Sequence, residues 1–219
     1  KIPQYIYNGE EGKFTEVTDL TYTFLRCTGL RIAPEIPGSV TSMASTFQDC
    51  TGLTTAPEIP NSVTNMPSTF SGCTGLTNAP EIPGSVTNMA GTFRDCTGLT
   101  TAPEIPNSVT DIGYTFYGCT GLTTAPEIPN SVTDMNGTFS RCTGLTTAPE
   151  IPNSVTDMGY TFFECTNLTG EITINANIDN EASYEGCFWD TTKPIQLTGT
   201  CTILSKLAET CTKRNVTVK

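Results

Sequence analysis

Ten cysteines in 219 residues are the first candidates for chemistry, because a thiolate can act as a nucleophile, a metal ligand or half of a disulfide. Seven of them, Cys27, Cys50, Cys73, Cys96, Cys119, Cys142 and Cys165, follow one another every 23 residues without an insertion. This regularity predicts a ladder of equivalent buried thiols. Equivalent side chains in stacked turns point the same way, whereas a disulfide needs converging Cβ atoms and a specific dihedral angle. A zinc cluster wants paired Cys-x-x-Cys spacings and usually histidine, and the chain has neither. Cys187, Cys201 and Cys211 lie outside the ladder and leave one disulfide possible among them.

The absence of histidine also excludes Ser-His-Asp and Cys-His catalysis. Carboxylates are plentiful, so composition alone leaves paired-acid hydrolysis open. The acids, however, recur once per repeat, and a catalytic pair should interrupt a repeat rather than obey it. Neither a glycine-rich phosphate loop nor a calcium-loop motif is present. No catalytic residues, metal or cofactor are expected, and the chain reads as a non-enzyme.

The acids ask for a different reading. Glu35, Glu58, Glu81, Glu104, Glu127 and Glu150 share one register, which stacking would align as a column. From Ala33 to Met158 there are eleven acids against only Arg94 and Arg141, a net charge of −9. Such a column is either a solvated face that keeps the array soluble, or a docking strip for a basic partner or divalent cations. Single carboxylates offer calcium too few oxygens unless backbone carbonyls help. The same charge disfavours nucleic acid and anionic membranes as partners.

Binding specificity in a repeat belongs where the copies differ. Two positions vary strongly, five and two residues before each cysteine. The pairs are Tyr22/Leu25, Ser45/Gln48, Ser68/Ser71, Gly91/Arg94, Tyr114/Tyr117, Gly137/Ser140 and Tyr160/Phe163. The aromatic pairs Tyr114/Tyr117 and Tyr160/Phe163 flank a turn bearing only glycine and serine, with Arg94 and Arg141 nearby. They would wall a notch suited to a flat ligand such as a sugar ring or a peptide side chain. The alternative is that the rings lean over the small residues and cover them.

The elements that must position these residues follow from the same period. Phenylalanine precedes each cysteine of the ladder by three residues, from Phe24 to Phe162, and leucine follows by three, from Leu30 to Leu168. Met43, Phe47 and Cys50 fall at i, i+4 and i+7, one face of a short helix, and Gly52 stands where a helix stop is expected. Asp111, Asp134 and Asp157 would cap the same helix in later copies. The recurring Ala-Pro-Glu-Ile-Pro, as at Ala56–Pro60, is too short and proline-bound for a helix. It predicts a short strand stacked on its equivalents, its hydrogen-bond ladder broken by proline. No single copy can bury its Phe, Cys, Leu, Ala, Ile, Val and Met alone, so stability must come from stacking.

The run Val86-Thr-Asn-Met-Ala-Gly-Thr-Phe93-Arg-Asp-Cys96-Thr-Gly-Leu99 resembles the BspA-like leucine-rich repeats of bacterial surface proteins. The resemblance extends over residues 17–168, and the shorter, proline-rich Ala-Pro-Glu-Ile-Pro stretch departs from it. It implies a curved solenoid, an extracellular position on a bacterial cell surface, and adhesion to a protein or glycan. The expected architecture is an α/β leucine-rich-repeat solenoid of 23-residue turns, with short stacked strands and short helical turns, capped at both ends.

Residues 1–16 carry Ile2, Tyr5, Ile6, Tyr7 and Phe14 as an N-terminal cap for the first turn. Residues 169–219 are expected as a C-terminal cap, with strand, helix and strand in 194–219 and Trp189 plugging its junction with the repeats. The chain starts at lysine and is expected to be a processed or trimmed piece. No apolar run approaches the roughly 20 residues of a membrane span. Two functions fit: a monomeric recognition module at the cell surface, or a structural spacer in a larger surface protein.

Overall fold

The structure, a computed structural model, describes residues 1–8, 13–176, 178, 180–201, 203–209 and 215–219. Stacked coils run from Val17 through the repeats. One parallel bridge per coil joins Asp19, Ser42, Asn65, Asn88, Asp111, Asp134 and Asp157 in series, each 23 residues after the last. A second row bridges Ile32 to Thr55, Asn78 to Thr101 and Thr124 to Thr147. That row, with one bridge from Ile151 to Ile174 in the last copy, is what the described residues show of the strand expected at Ala-Pro-Glu-Ile-Pro. It falls just before the alanine, because the prolines beyond supply no donor to extend it.

The expected helical turn is also not a helix. Between Met43 and Cys50 the backbone donors split two ways. Met43, Ser45, Phe47 and Asp49 donate to Asn65, Pro67, Thr69 and Ser71 of the next coil, at 2.7–2.9 Å. Thr46, Gln48 and Cys50 instead donate three residues back, to Met43, Ser45 and Phe47. An eight-residue helix is marginal alone, while this arrangement satisfies the same donors across the stack. It requires a left-handed residue every fourth position: Ser45 at φ 50° and Asp49 at φ 58°. Glycine supplies that conformation at Gly72, Gly91, Gly118 and Gly137. Asp111, Asp134 and Asp157 do act as caps, but of turns, accepting the N–H two residues on at 2.8–3.0 Å. Gly52 is there for space, since a Cβ would run into the Thr28 carbonyl of the coil before.

Inside the coils the repeated side chains form continuous ladders. Phe24, Phe47, Phe70, Phe93, Phe116, Phe139 and Phe162 stack at 5.4–5.9 Å, their planes within 8° of parallel. From the second coil onward the Met or Ile, Phe, Cys and Leu ladders are fully buried. Carbonyls turned into the core are capped by side chains. Thr92 Oγ1 donates to Met66 O of the preceding coil at 2.8 Å, and Cys96 Sγ donates to Phe70 O at 3.0 Å. The threonine before each phenylalanine repeats this bond from Thr46 to Thr161.

The stack continues past Leu168. Phe188 stacks on Phe162 at 5.5 Å, and Phe162 N donates to Cys187 O as Phe139 N donates to Thr161 O. Cys187 therefore takes the threonine register, and Thr191, which is buried, takes that of cysteine. Alongside this coil, strands β3 (Gly170–Thr173), β4 (Ile195–Thr198) and β5 (Val216–Val218) form a parallel sheet in that order, with helix α1 (Leu204–Glu209) crossing from β4 to β5. At the other end, strands β1 (Tyr5–Asn8) and β2 (Lys13–Glu16) pair antiparallel as an N-terminal hairpin. Ile2 packs on the core there, whereas Tyr5 and Ile6 stay exposed. The first coil is covered only in part: Ile32 remains 71% and Tyr22 59% exposed. Cys211 and the side chains of Tyr7 and Phe14 lie outside the described residues.

Candidate functional site

The cysteine ladder is structural. Cys50, Cys73, Cys96, Cys119, Cys142 and Cys165 each donate a thiol hydrogen bond to a phenylalanine carbonyl of the coil before, at 3.0–3.1 Å. Burial raises all six thiols above their ordinary range, and pushes Cys165 up to about 12. A thiol so far from ionising is a poor nucleophile and a poor ligand. Cys201 is a free, buried thiol, and Cys27, on the first coil, is free and exposed. Among the described residues no group of three or more His, Cys, Asp or Glu side chains is placed to hold a metal ion.

The glutamate column is exposed along its length. Its ends are engaged: Lys1 Nζ lies 3.2 Å from Glu35, and Asn175 Nδ2 donates to Glu150 at 2.6 Å. Clefts open between successive coils on this face, where backbone pairing is sparse. One of them, about 690 Å³, is lined by Pro103, Glu104, Ile105, Pro126, Glu127 and Ile128. A second acidic row is less exposed. Asp111, Asp134 and Asp157 are bridge partners on consecutive coils. The Asp134 carboxyl is held above its usual range by burial and by these two neighbours, against the Asn136 N–H that it accepts.

The variable strip runs along the left-handed positions of the coils. Tyr114 and Tyr160 adopt φ 55° and 53°. This conformation turns each ring over the next coil, onto Gly137 and Gly186, where a Cβ would collide with the ring. Ser140 is buried as well. The expected notch is therefore filled, and the rings form two clusters instead. Tyr114 and Tyr117 lie 6.1 Å apart at 51°, and Tyr160 meets Phe163 edge-on at 6.0 Å. Trp189 joins them, edge-on to Tyr160 at 5.9 Å. It occupies the register of Phe163 and is half-buried, so it extends the strip where the repeats meet residues 169–219. Aligning on Phe162 and Phe188, 26 residues apart, would have revealed this, while counting from cysteine hides it.

The two arginines converge on one ring. Arg94 Cζ stands 4.7 Å from the Tyr117 centroid and Arg141 Cζ 5.6 Å, one from the coil before and one from the coil after. Both distances allow a cation–π attraction. Each Nε also contacts a carboxylate, Asp95 at 3.4 Å and Glu164 at 3.0 Å.

Stacked coils with constant interior ladders and a variable outer strip define a leucine-rich-repeat protein, a class that generally serves as an interaction module. A family profile described as the BspA type leucine rich repeat region matches residues 20–113 and 89–211, with 6 copies, and the chain belongs to that family. Among solved structures it is similar to a leucine-rich-repeat protein of T. pallidum. The identity is 23% and the TM-score 0.54, over 73% of this chain and 67% of that one. A leucine-rich repeat protein from Bacteroides ovatus matches at 20% identity and TM-score 0.48, over 100% of this chain and 68% of that one. A leucine rich cell surface protein from Faecalibacterium prausnitzii matches at 18% and 0.40, over 89% and 80%. Comparison with curated proteins finds none that matches.

Proposed function

We propose that the chain is a non-catalytic recognition module at a bacterial cell surface, acting as a monomer and binding a protein or glycan through its variable strip. Tyr114, Tyr117, Tyr160, Phe163 and Trp189 form the contact surface, with Arg94 and Arg141 as its charged members. The observation that carries this reading is the contrast between registers. Interior residues barely change from coil to coil, while large aromatic residues gather in one outer strip. A spacer has no need of such a surface. The family supports an interaction role, and no helix among the described residues is long and apolar enough to cross a membrane. The test is a binding screen of glycans and surface proteins against the wild type and a Tyr114→Ser/Tyr160→Ser variant. Loss of captured partners in the variant supports the strip, and unchanged capture removes it.

A second reading concerns the opposite charge. Glu58, Glu81, Glu104 and Glu127, beside the clefts between coils, suit a basic partner, as Lys1 against Glu35 illustrates within the chain itself. Charge reversal of Glu104 and Glu127 to lysine should abolish capture of such a partner and leave strip-dependent binding intact.

A further inference from the structure

We infer that the strip's ligand is a glycan, otherwise neutral, that carries a single carboxylate, and that Arg94 and Arg141 hold that carboxylate beside Tyr117. This inference rests on the recognition reading above. From Ala33 to Met158 these arginines are the only cations among eleven acids, and both lie over the same ring. Their ion pairs use Nε. Among the described residues, Arg94 donates from Nε to Asp95 at 3.4 Å, and both guanidinium groups lie over the Tyr117 ring. Both arginine side chains are about half exposed, at 49% and 52%. Two guanidinium groups over one tyrosine ring offer a carboxylate charge-assisted donors.

The surroundings limit how much negative charge the ligand can bring. Asp95 and Glu164 sit against the arginines, and the chain as a whole carries −11. A polyanion would meet repulsion at each further charge, screened only beyond about 8 Å at physiological salt. One carboxylate on a neutral chain gains the arginine pair without that cost. The strip also favours a sugar over an extended peptide. Its backbone donors are already committed to the neighbouring coils, as in Tyr114 N to Asn136 O and Phe116 N to Thr138 O. An incoming strand finds no edge to pair with. What remains available is ring surface, with Tyr114 42% exposed beside the arginine pair.

Calorimetric titration with sialyllactose and with lactose tests this, using the wild type and an Arg94→Gln/Arg141→Gln variant whose folding is checked by thermal melting. The wild type should bind sialyllactose about tenfold more tightly than lactose, a difference of about 1.4 kcal/mol. The variant should bring the two sugars within about twofold, as should raising the salt to near 1 M, where the screening length falls to about 3 Å. Equal affinities in the wild type, or a preference that survives in the variant, overturn the inference. Failure of the wild type to bind either sugar also overturns it. The recognition reading is judged separately, by whether partners captured in the screen depend on Tyr114 and Tyr160. A short peptide with one aspartate that binds as tightly as sialyllactose overturns the glycan assignment.

Discussion

The inner and outer faces of one short segment obey different rules along the stack. Between Met89 and Cys96, the residues Met89, Phe93 and Cys96 are fully buried, and each has an apolar equivalent in both neighbouring coils, identical except for Ile112 after Met89. Gly91 and Arg94 on the same segment have tyrosine as their counterparts one coil later. The difference follows from what each position must satisfy. An inner residue touches its equivalents above and below, so a change in one coil leaves two mismatched contacts. An outer residue must adopt its backbone conformation, left-handed at Gly91, and leave room for the side chain of the coil before it, as Gly137 does for Tyr114, but it has no ladder to match. Recognition can therefore change along the strip without rebuilding the fold.

The comparison breaks most visibly if an inner position is emptied. Phe93→Ala removes a ring stacked between Phe70 at 5.7 Å and Phe116 at 5.9 Å. It should cost about 3–5 kcal/mol in denaturant unfolding. Tyr114→Ser, on the strip, should cost less than about 1 kcal/mol by the same measurement. Equal losses at the two sites would erase the distinction between faces. An intermediate effect sharpens it: Gly137→Ala places a Cβ at φ 59° and against the Tyr114 ring. The expected cost is about 1–2 kcal/mol. Gly38→Ala, where nothing lies within 4 Å of the added carbon, serves as the near-neutral control.

The smallest expected effect lies in the Asp111, Asp134 and Asp157 row. Burial and like charges raise the folded-state pKa of Asp134. The folded state therefore holds the Asp134 proton more tightly than the unfolded chain does. Its favourable contribution is complete below the unfolded pKa, near 3.9, and is lost as pH rises through the folded value. Asp134→Asn keeps an acceptor for the Asn136 N–H, as Asn88 does for Ala90. At pH 7 it should raise Tm by about 1 °C, a small gain because solvent screens a partly exposed carboxylate. The gain should shrink at pH 4. A variant that melts lower at pH 7 would contradict the like-charge account.

The interior was legible in the sequence because a ladder demands equivalence. Phenylalanine, cysteine and leucine at fixed offsets identified the buried face, and the structure places them there from the second coil onward, while Cys27 of the first coil is exposed. The local backbone was misread, for a physical reason. Met43, Phe47 and Cys50 have helical spacing, but two linked turns place the same residues inward. The glycines at Gly72, Gly91, Gly118 and Gly137 were the contrary signal, since each weakens a helix interior by about 1 kcal/mol. The buried threonine ladder was missed because hydroxyl residues are abundant on every face of this chain, so the invariant one did not stand out. On the strip, spacing brought the tyrosine pairs and arginines together. It could not say that the tyrosines lean onto the glycines and fill the notch.

Binding by the Tyr114→Ser/Tyr160→Ser variant tests the division between faces most directly. With its melting temperature within a few degrees of the wild type, the variant should lose at least about tenfold in affinity for partners captured by the wild type, or about 1.4 kcal/mol. Wild-type affinity in a folded variant would contradict the assignment of recognition to the outer strip.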